Sequence, residues 1–454
     1  MHTTKRKTIR FATSGLIILA LTLSVLNTGM ALQQAGELQE SQEEYLSYLP
    51  MIIRNYYRGS SGLLDPEFDT DGLVLTEMGV GYNYGYAIAI QPDGKIVVAG
   101  EAAWGDFALA RYNLDGSLDT TFSDDGLVLT DFSGDTDVGQ AIFIQPDGKI
   151  IVVGKTWGGS NYDFALARYN LDGSLDTNFG GDGLVSTDFN DGYDIAYSVI
   201  LQPDSKIIVA GKSRTTINND FALARYHPDG SLDITFSNDG WVTTNFSSSD
   251  EEGYAVALQS DDKIVVAGMA YILGNYIDFA LVRYNTDGSL DSSFDADGWV
   301  TTDFTGDADY GRSIAIQQDG KIVVAGYGGF GDFALARYNS NGSLDAAFGN
   351  AGQVTTDFGA TSDFGYAVVL QPDGKIVVAG TANMGSTGSD FALARYNSNG
   401  SLDTSFHSDG RVTTDFNSIY DNGYALALQQ DGKIIVAGYT SIEMLYLFAL
   451  ARYK

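Results

Sequence analysis

Aromatic side chains in the variable loops of this chain are the residues best suited to binding a ligand. They are Trp104, Trp157, Tyr271, Tyr276, Phe330 and Tyr446. Their loops differ strongly in sequence while the flanking segments hardly change, and recognition concentrates in such loops. An exposed ring can stack on a sugar or clamp a peptide. We therefore predict a glycan or protein ligand at these residues, with unselected variation of the loops as the alternative.

Residues that could perform catalysis form no recognisable pattern. The chain has no cysteine, which excludes disulfides, thiolate metal sites and a cysteine nucleophile. Its three histidines (His2, His227 and His407) are scattered, which disfavours a zinc site, and neither an HExxH motif nor a phosphate loop is present. We predict a non-catalytic protein with no cofactor and no assigned metal ligand. The alternative is a hydrolase or lyase that uses carboxylates near a central channel.

The acidic charge of the chain restricts its partners. The formal net charge is −32, and residues 62–454 hold 20 Lys and Arg against 54 Asp and Glu. Such a chain repels nucleic acid and anionic lipid surfaces, but it attracts divalent cations. Acidic stretches recur at 131–137, 188–194, 250–252 and 303–309, which makes calcium a candidate ligand of these loops. The other interpretation is that the charge serves solubility alone.

A second candidate for calcium is the turn that follows each FALARY string. In the first complete repeat, oxygen-bearing side chains stand at alternate positions, at Asn113, Asp115, Ser117 and Asp119. The turn lacks the closing glutamate of a calcium loop. Asx-type turns explain the same residues without a metal.

Three strings recur seven times and determine the architecture. FALARY, once as FALVRY, begins at residues 107, 164, 221, 279, 333, 391 and 448. A string of the type QPDGKIVVAG places a lysine at 95, 149, 206, 263, 321, 375 and 433. A string of the type GSLDTTF places an aspartate at 65, 119, 176, 233, 291, 345 and 403.

Each repeat has the features of β-structure. Valine, isoleucine, phenylalanine and tyrosine dominate its apolar runs, and the Pro-Asp-Gly between YAIAIQ and KIVVAG is typical of a hairpin turn. FALARY and a last stretch such as GLVLTDF complete four strands, which suits a propeller blade. The PDGK and NLDGS turns then share one face of the disc, and the variable loops share the other. A fifth strand over SLDTTF would rearrange these faces.

The charged residues inside the motifs are predicted to be structural. Alternation along FALARY puts Phe, Leu and Arg on one face of the strand and both alanines and Tyr on the other. A buried arginine needs a carboxylate partner, and the SLD aspartate of each repeat offers one. We predict seven structural Arg–Asp pairs, with a ring of functional arginines as the alternative. The lysines after PDG are predicted to be solvated.

The order of the motifs predicts how the repeats close. The first motifs, at 62–65 and 72–76, belong to the end of a unit, and the last unit stops after FALARYK at 448–454. One N-terminal strand and three C-terminal strands together complete a blade, which an open solenoid would not need. The predicted fold is therefore an all-β, seven-bladed β-propeller, closed by pairing an N-terminal strand with the C-terminal blade.

DGKIVVAG, DFALARYNLDGSLDTTF and the Gly-x-Val-x-Thr-Asp-Phe strand resemble the delta-60 repeat family, a bacterial group of predicted β-propellers. The resemblance covers about 62–454 and includes all seven units. It implies the propeller fold. It implies no activity and no functional residues.

The N-terminal residues predict export. Lys5, Arg6, Lys7 and Arg10 precede an apolar run at 16–26 and small residues up to Ala31, the order of a signal peptide over 1–31. An uncleaved membrane anchor is the alternative. Residues 32–61 are predicted to be a linker or attachment segment, and 62–454 the propeller. We expect a secreted or cell-surface monomer without a membrane span after cleavage, and a purely structural module of the cell envelope is a further alternative.

Overall fold

The computed structural model describes residues 63–454, except 133–135, 190, 215–216, 247–248, 273–275, 305–307, 360–361 and 386–387. Every named element in this part of the chain is a β-strand. These residues include no helix long and apolar enough to cross a membrane. The signal peptide predicted at 1–31 and the linker predicted at 32–61 lie outside the described residues and stay predictions.

The strands form seven four-stranded antiparallel sheets, one for each repeat. Blade 1 consists of β2 (Tyr84–Ile90), β3 (Ile96–Ala102), β4 (Asp106–Tyr112) and β5 (Leu127–Thr130). Blade 2 consists of β6 (Val138–Ile144), β7 (Ile150–Trp157), β8 (Tyr162–Tyr169) and β9 (Leu184–Thr187). Blade 3 consists of β10 (Ile195–Leu201), β11 (Ile207–Ser213), β12 (Asp220–Tyr226) and β13 (Trp241–Thr244). Blade 4 consists of β14 (Glu251–Leu258), β15 (Ile264–Tyr271), β16 (Ile277–Tyr284) and β17 (Trp299–Thr302).

The remaining three blades have the same strand order. Blade 5 consists of β18 (Tyr310–Ile316), β19 (Ile322–Gly328), β20 (Asp332–Tyr338) and β21 (Gln353–Thr356). Blade 6 consists of β22 (Asp363–Leu370), β23 (Ile376–Asn383), β24 (Ser389–Tyr396) and β25 (Arg411–Thr414). Blade 7 consists of β26 (Asp421–Leu428), β27 (Ile434–Ile442), β28 (Leu445–Tyr453) and β1 (Leu73–Thr76).

The first strand of each blade is its inner strand. Inner strands of consecutive blades contact one another, and β26 also contacts β2, so the contacts form a closed ring. The seven-bladed β-propeller predicted from the repeats is therefore confirmed. The SLD segment forms only an isolated bridge, between Tyr112 and Leu118 in blade 1, and not a fifth strand.

The N-terminal strand closes the ring as predicted. β1 pairs antiparallel with β28, from Leu73 opposite Ala451 to Thr76 opposite Phe448. It is the outer strand of blade 7. The hydroxyl of Tyr112 in blade 1 donates a hydrogen bond to Thr76 Oγ1 at 2.8 Å, which joins the closing strand to the first blade.

Alternation along FALARY builds the contacts between blades. Phe107 and Leu109 pack towards blade 2, whereas Ala108, Ala110 and Tyr112 pack towards blade 7. All five are completely buried. The two faces of each third strand are thus covered by different neighbours, which explains why the motif is almost wholly apolar.

The predicted Arg–Asp pairs are present in all seven blades. The nitrogen–oxygen distances are 2.7 to 2.9 Å in Arg111–Asp119, Arg168–Asp176, Arg225–Asp233, Arg283–Asp291, Arg337–Asp345, Arg395–Asp403 and Arg452–Asp65. All seven aspartates are buried, as are all of the arginines except the partly buried Arg395, which supports the structural interpretation. Burial alone would raise the pKa of Asp176, but hydrogen bonds from Lys149 and the Asn178 amide, with the charge of Arg168, lower it to about 2.

The prediction that the PDGK lysines are solvated was wrong. Each lysine lies 2.8 to 3.1 Å from the aspartate of its blade's Arg–Asp pair. In blade 1 the Lys95 side chain is only 27% exposed. The two turns of a blade stand side by side on the same face, so the lysine stem can lie over the pair while its ammonium group contacts the carboxylate.

Because the four strands of each blade follow one another in an up-and-down order, the disc has two different faces. The turns between first and second strands and between third and outer strands form the turn face. The loops between second and third strands, and the connections between blades, form the variable-loop face. This is the arrangement predicted from four strands per repeat.

Candidate functional site

A β-bulge in every inner strand directs one side chain into the central channel. In blade 1 the pairing of β2 with β3 shifts between Gly85 and Ala87 and leaves Tyr86 out of register. Gly100 permits this because a Cβ there would collide with the carbonyl oxygen of Tyr84. The bulged residues, which we call the channel ring, are Tyr86, Gln140, Tyr197, Tyr254, Arg312, Tyr366 and Tyr424.

Members of the channel ring contact each other across blade boundaries. Ring centroids are 5.2 Å apart for Tyr197 and Tyr254, 4.9 Å for Tyr366 and Tyr424, and 5.5 Å for Tyr86 and Tyr424. The channel therefore has an aromatic wall over several blades, and Arg312 interrupts this wall with a permanent positive charge.

Arg312 is held by tyrosines of two blades. Its guanidinium carbon lies 3.9 Å from the ring centroid of Tyr254, and one terminal nitrogen donates a hydrogen bond to the Tyr327 hydroxyl at 3.0 Å. The Nε–H, which is shielded from solvent, has no hydrogen-bond acceptor among the described residues. A buried donor without an acceptor is rare in proteins, and a bound ligand could supply the acceptor.

A charged network continues from Arg312 into blades 4 and 3. The Tyr254 hydroxyl donates to Glu252 Oε2 at 2.8 Å. Lys212 Nζ and Asn219 Nδ2 each donate to Glu252 Oε1, also at 2.8 Å. Both oxygens of Glu252 are thus engaged, which positions it to orient its neighbours. We call Lys212, Glu252, Tyr254 and Arg312 the charged network.

Two further charges lie at the same level in blades 1 and 2. Glu101 directly follows Gly100 in the second strand of blade 1, and Lys155 directly follows Gly154 in blade 2. Lys212 has the same position in blade 3. Burial raises the pKa of Glu101, and the charge of Lys155 partly offsets this. Burial lowers the pKa of Lys155, whose ammonium lies 4.2 Å from the centroid of Tyr162.

An aromatic cluster stands on the blade 1 and blade 7 side of the channel mouth. It consists of Tyr82, Tyr84, Trp104, Tyr439 and Tyr446. Tyr82 lies 5.6 Å from Trp104 and 5.1 Å from Tyr446, and Tyr84 lies 4.5 Å from Tyr439. Tyr84 also lies 5.9 Å from Tyr86, which connects the cluster to the channel ring.

The structure brings only some of the predicted ligand-binding residues together. Trp104, which is 66% exposed, and Tyr446 both belong to the aromatic cluster. Trp157 packs instead against Tyr162, at 5.2 Å. Tyr271 ends β15 and Tyr276 directly precedes β16, both in blade 4, and Phe330 stands in blade 5, 80% exposed.

The charged residues of the mouth were missed by the sequence reasoning. A signal was available, because 14 of the 20 basic residues in 62–454 belong to the FALARY and PDGK motifs. The six that remain are Lys155, Lys212, Arg214, Arg312, Arg411 and Lys454. Three of these six, Lys155, Lys212 and Arg312, lie at the channel mouth.

The turn after FALARY is stabilised by hydrogen bonds among its own residues. Asp115 Oδ1 accepts hydrogen bonds from the Ser117 amide at 3.0 Å and the Ser117 hydroxyl at 2.6 Å. Asn113 Nδ2 donates to Ser117 Oγ at 3.1 Å. These hydrogen bonds are those of an Asx-type turn, which is one of the two interpretations that the sequence offers for these residues.

Seven segments of the chain match the model of a family described as a domain of unknown function (DUF5122) beta-propeller, and the chain belongs to that family. The matched residues are 91–122, 145–179, 202–236, 259–294, 317–348, 371–406 and 429–454. One match in each repeat supports a β-propeller repeat family of bacterial type, while the narrower resemblance to delta-60 repeats stays a prediction. No curated protein matches the sequence.

Solved structures of other propellers resemble the fold. An inactive variant of virginiamycin B lyase from Staphylococcus aureus shares 12% sequence identity with a TM-score of 0.50, over 84% of this chain and 98% of that one. A polysaccharide lyase described as an ulvan lyase shares 13% identity with a TM-score of 0.47, over 84% and 95% of the two chains. At this identity the likeness concerns the fold alone.

Proposed function

We propose that this protein is an exported, monomeric and non-catalytic propeller that binds an acidic glycan at the channel mouth on its variable-loop face. The observation that carries this proposal is the position of Lys155, Lys212 and Arg312. Residues 62–454 contain six basic residues outside the repeated motifs, and half of these six are at one mouth although the chain has a net charge of −32. A group of cations at one place on an otherwise strongly acidic protein favours an anionic ligand at that place.

The aromatic cluster supports a sugar as the body of this ligand. Tyr82 and Trp104 are 43% and 66% exposed, so their faces are available for stacking on a pyranose ring. The free Nε–H of Arg312 then supplies a charge-assisted hydrogen bond to a carboxylate or sulfate group of a neighbouring sugar. A uronate and a sulfated sugar share this anionic chemistry.

Catalysis at the same mouth is the second candidate function. The observation that favours it is Glu101, because its raised pKa is what a general acid requires. The other acid of the mouth, Glu252, accepts hydrogen bonds at both oxygens, from Lys212 and Tyr254. This arrangement suits a positioning residue better than a base or nucleophile, so we favour binding.

The test is calorimetric titration of the full chain with an oligogalacturonate, a sulfated oligosaccharide and a neutral glucose oligomer. We expect one of the anionic oligosaccharides to bind and the neutral one to bind much more weakly. Arg312→Gln should reduce affinity about tenfold or more, the effect of losing a charge-assisted hydrogen bond. Trp104→Ala should weaken binding by a similar factor because it removes the stacking surface.

Arg411→Gln is the matched control, because Arg411 is also outside the repeated motifs but lies on the outer strand β25 and pairs with Asp409. It should leave affinity unchanged. Equal loss in the Arg312 and Arg411 variants would contradict the proposal, as would equal binding of the neutral oligosaccharide. Shortened or unsaturated products in the same mixtures would favour the enzyme, and failure of all three to bind would favour a structural module.

A further inference from the structure

Groups of three aspartates recur at the junctions between blades. Among the residues that the structure describes, there are five such triads: Asp106, Asp131 and Asp137; Asp163, Asp188 and Asp194; Asp278, Asp303 and Asp309; Asp332, Asp357 and Asp363; and Asp390, Asp415 and Asp421. Each aspartate of a triad offers one carboxylate oxygen, and these three oxygens lie within 4.8 Å of one another.

Each triad links two consecutive blades. In the triad of Asp163, Asp188 and Asp194, the first residue lies in the third strand of blade 2 and the second follows the outer strand of that blade. Asp194 immediately precedes the inner strand of blade 3. The other four triads occupy equivalent positions in their own repeats. Any ion held by such a triad would therefore connect one blade to the next.

In three of the five triads a buried carboxylate oxygen has no hydrogen bond of normal geometry from any described residue, whereas both oxygens of Asp309 and of Asp421 accept hydrogen bonds. Asp194 is 0% exposed; its Oδ2 accepts the Phe189 amide at 2.6 Å, but its Oδ1 makes no hydrogen bond of normal geometry within the described part of the chain. Asp163 Oδ1, in the same triad, is also shielded from solvent and lacks a donor there. Buried carboxylate oxygens with so few donors favour a bound cation as the missing partner.

The same feature recurs in a second triad. Asp363 is 0% exposed, and its Oδ2 accepts the Phe358 amide at 2.7 Å. Its Oδ1 has no hydrogen-bond donor of normal geometry in the described structure. Three carboxylates thus meet where one of them is completely buried, and a bound cation would offset their mutual repulsion.

The ligand atoms indicate which ion fits. Three carboxylates form a hard, all-oxygen donor set, which prefers calcium or magnesium to zinc or copper. The middle aspartate of each triad is exposed, so water can complete the coordination shell. Calcium accepts six to eight oxygen ligands in flexible geometry, whereas magnesium demands a near-ideal octahedron. We propose that each of the five triads binds a calcium ion that holds two neighbouring blades together.

The two remaining junctions show what a weakened site looks like. Between blades 3 and 4 the equivalent residues are Asp220, Asn245 and Glu251, and Asn245 Nδ2 donates to Asp220 Oδ1 at 2.7 Å. An amide thus fills the place of one carboxylate. Between blades 7 and 1 the equivalents are Leu447, Glu77 and Asn83. Asp→Asn at the middle position of a triad therefore copies a change that this fold already accommodates.

The test uses the full chain, freed of metal with a chelator and then dialysed against calcium at neutral pH. We expect about five bound ions per chain, one for each triad. The double variant Asp163→Asn with Asp188→Asn should bind one ion fewer. The control pair Asp172→Asn with Asp182→Asn removes the same charge from exposed positions of the same blade and should leave the number unchanged.

A spectroscopic measurement tests the location of one ion. Trp157 lines the same cleft, of about 420 Å³, as Asp163, so excitation of tryptophan should sensitise terbium bound at that triad. The double triad variant should lose part of this emission while its circular dichroism remains that of the folded protein. The proposal is overturned if millimolar calcium does not bind stoichiometrically, or if the control pair removes as much bound ion or emission as the triad pair.

Discussion

At the scale of the residue, the buried Arg–Asp–Lys groups show how one aspartate organises the turn face. Asp119 Oδ2 accepts hydrogen bonds from Arg111 Nε at 2.7 Å and from Lys95 Nζ at 2.8 Å, and its Oδ1 accepts the Thr121 hydroxyl at 2.7 Å. Arg111 also donates to the Leu171 carbonyl of blade 2 at 2.5 Å. A single carboxylate therefore joins two turns of its own blade and holds the arginine that contacts the next one.

The pairs predict a loss of stability in acid. The pKa of Asp176 in the folded protein is lowered to about 2, below the value of about 4 expected in an unfolded chain. Its stabilising contribution is complete above about pH 4 and is lost as the pH falls from there towards 2. Asp176→Asn should lower the free energy of unfolding by about 3 kcal/mol at pH 7, because it leaves Arg168 buried without a counter-charge.

Denaturant unfolding of the wild type and the Asp176 variant at several pH values from 7 to 2 checks this. The difference between the two proteins should shrink over the acidic part of the range. Asp124→Asn, at an exposed aspartate, removes the same charge and should have little effect at any pH. A difference that stays constant from pH 7 to pH 2 would show that the Asp176 carboxylate acts through shape and not through its charge.

At the scale of the element, a hydrogen bond between tyrosine and threonine repeats at every blade junction. The tyrosine that ends each third strand donates to the threonine that ends the outer strand of the preceding blade, as in Tyr169 with Thr130 at 2.9 Å. In the last junction Tyr453 and Thr414 are 2.7 Å apart. Consequently β1 carries two roles, since it completes a sheet and provides Thr76 for Tyr112.

Removal of the closing strand should therefore be far more damaging than its four residues suggest. Deletion of residues 63–78 exposes the edge of β28, removes the buried Phe68, and leaves Arg452 and Lys433 without Asp65. We expect the melting temperature to fall by about 10 °C or more. A chain that lacks only residues 1–62 retains β1 and is the control. Equal melting temperatures for the two truncated chains would refute closure by β1.

At the scale of the whole molecule, the repeats separate stability from recognition. The turn face carries the same Arg–Asp–Lys group in every blade, so it has little capacity to distinguish ligands. The mouth on the other face differs from blade to blade, with Gln140 and Arg312 among the channel tyrosines and unlike charges at Glu101, Lys155 and Lys212. Side chains that differ between blades therefore line this mouth, whereas the Arg–Asp–Lys group of the turn face is the same in all seven blades.

The difference between the repeated turn face and the variable mouth also explains which features the sequence could predict. The strands and six of the Arg–Asp pairs follow from short motifs whose partners recur at a fixed distance along the chain. The closure and the seventh pair, Arg452 with Asp65, follow from the incomplete repeats at the two ends. Lys95 was misjudged because its partner Asp119 belongs to another turn, brought beside it only by folding. Arg312 was missed because a bulge, and not simple alternation, directs it into the channel. The acidic stretches 131–137, 188–194 and 303–309 were recognised as candidate calcium ligands. Their partners Asp106, Asp163 and Asp278 were missed because each lies on a third strand and meets its stretch only after folding.

The central claim is that an acidic glycan binds at the channel mouth, and a crystal structure of the full chain with a short oligogalacturonate tests it most directly. We expect a sugar ring against Tyr82 or Trp104 and a carboxylate within hydrogen-bonding distance of Arg312 Nε. A sugar bound instead on the turn face, or only at the loops of Tyr271 and Phe330 away from Arg312, would contradict the account.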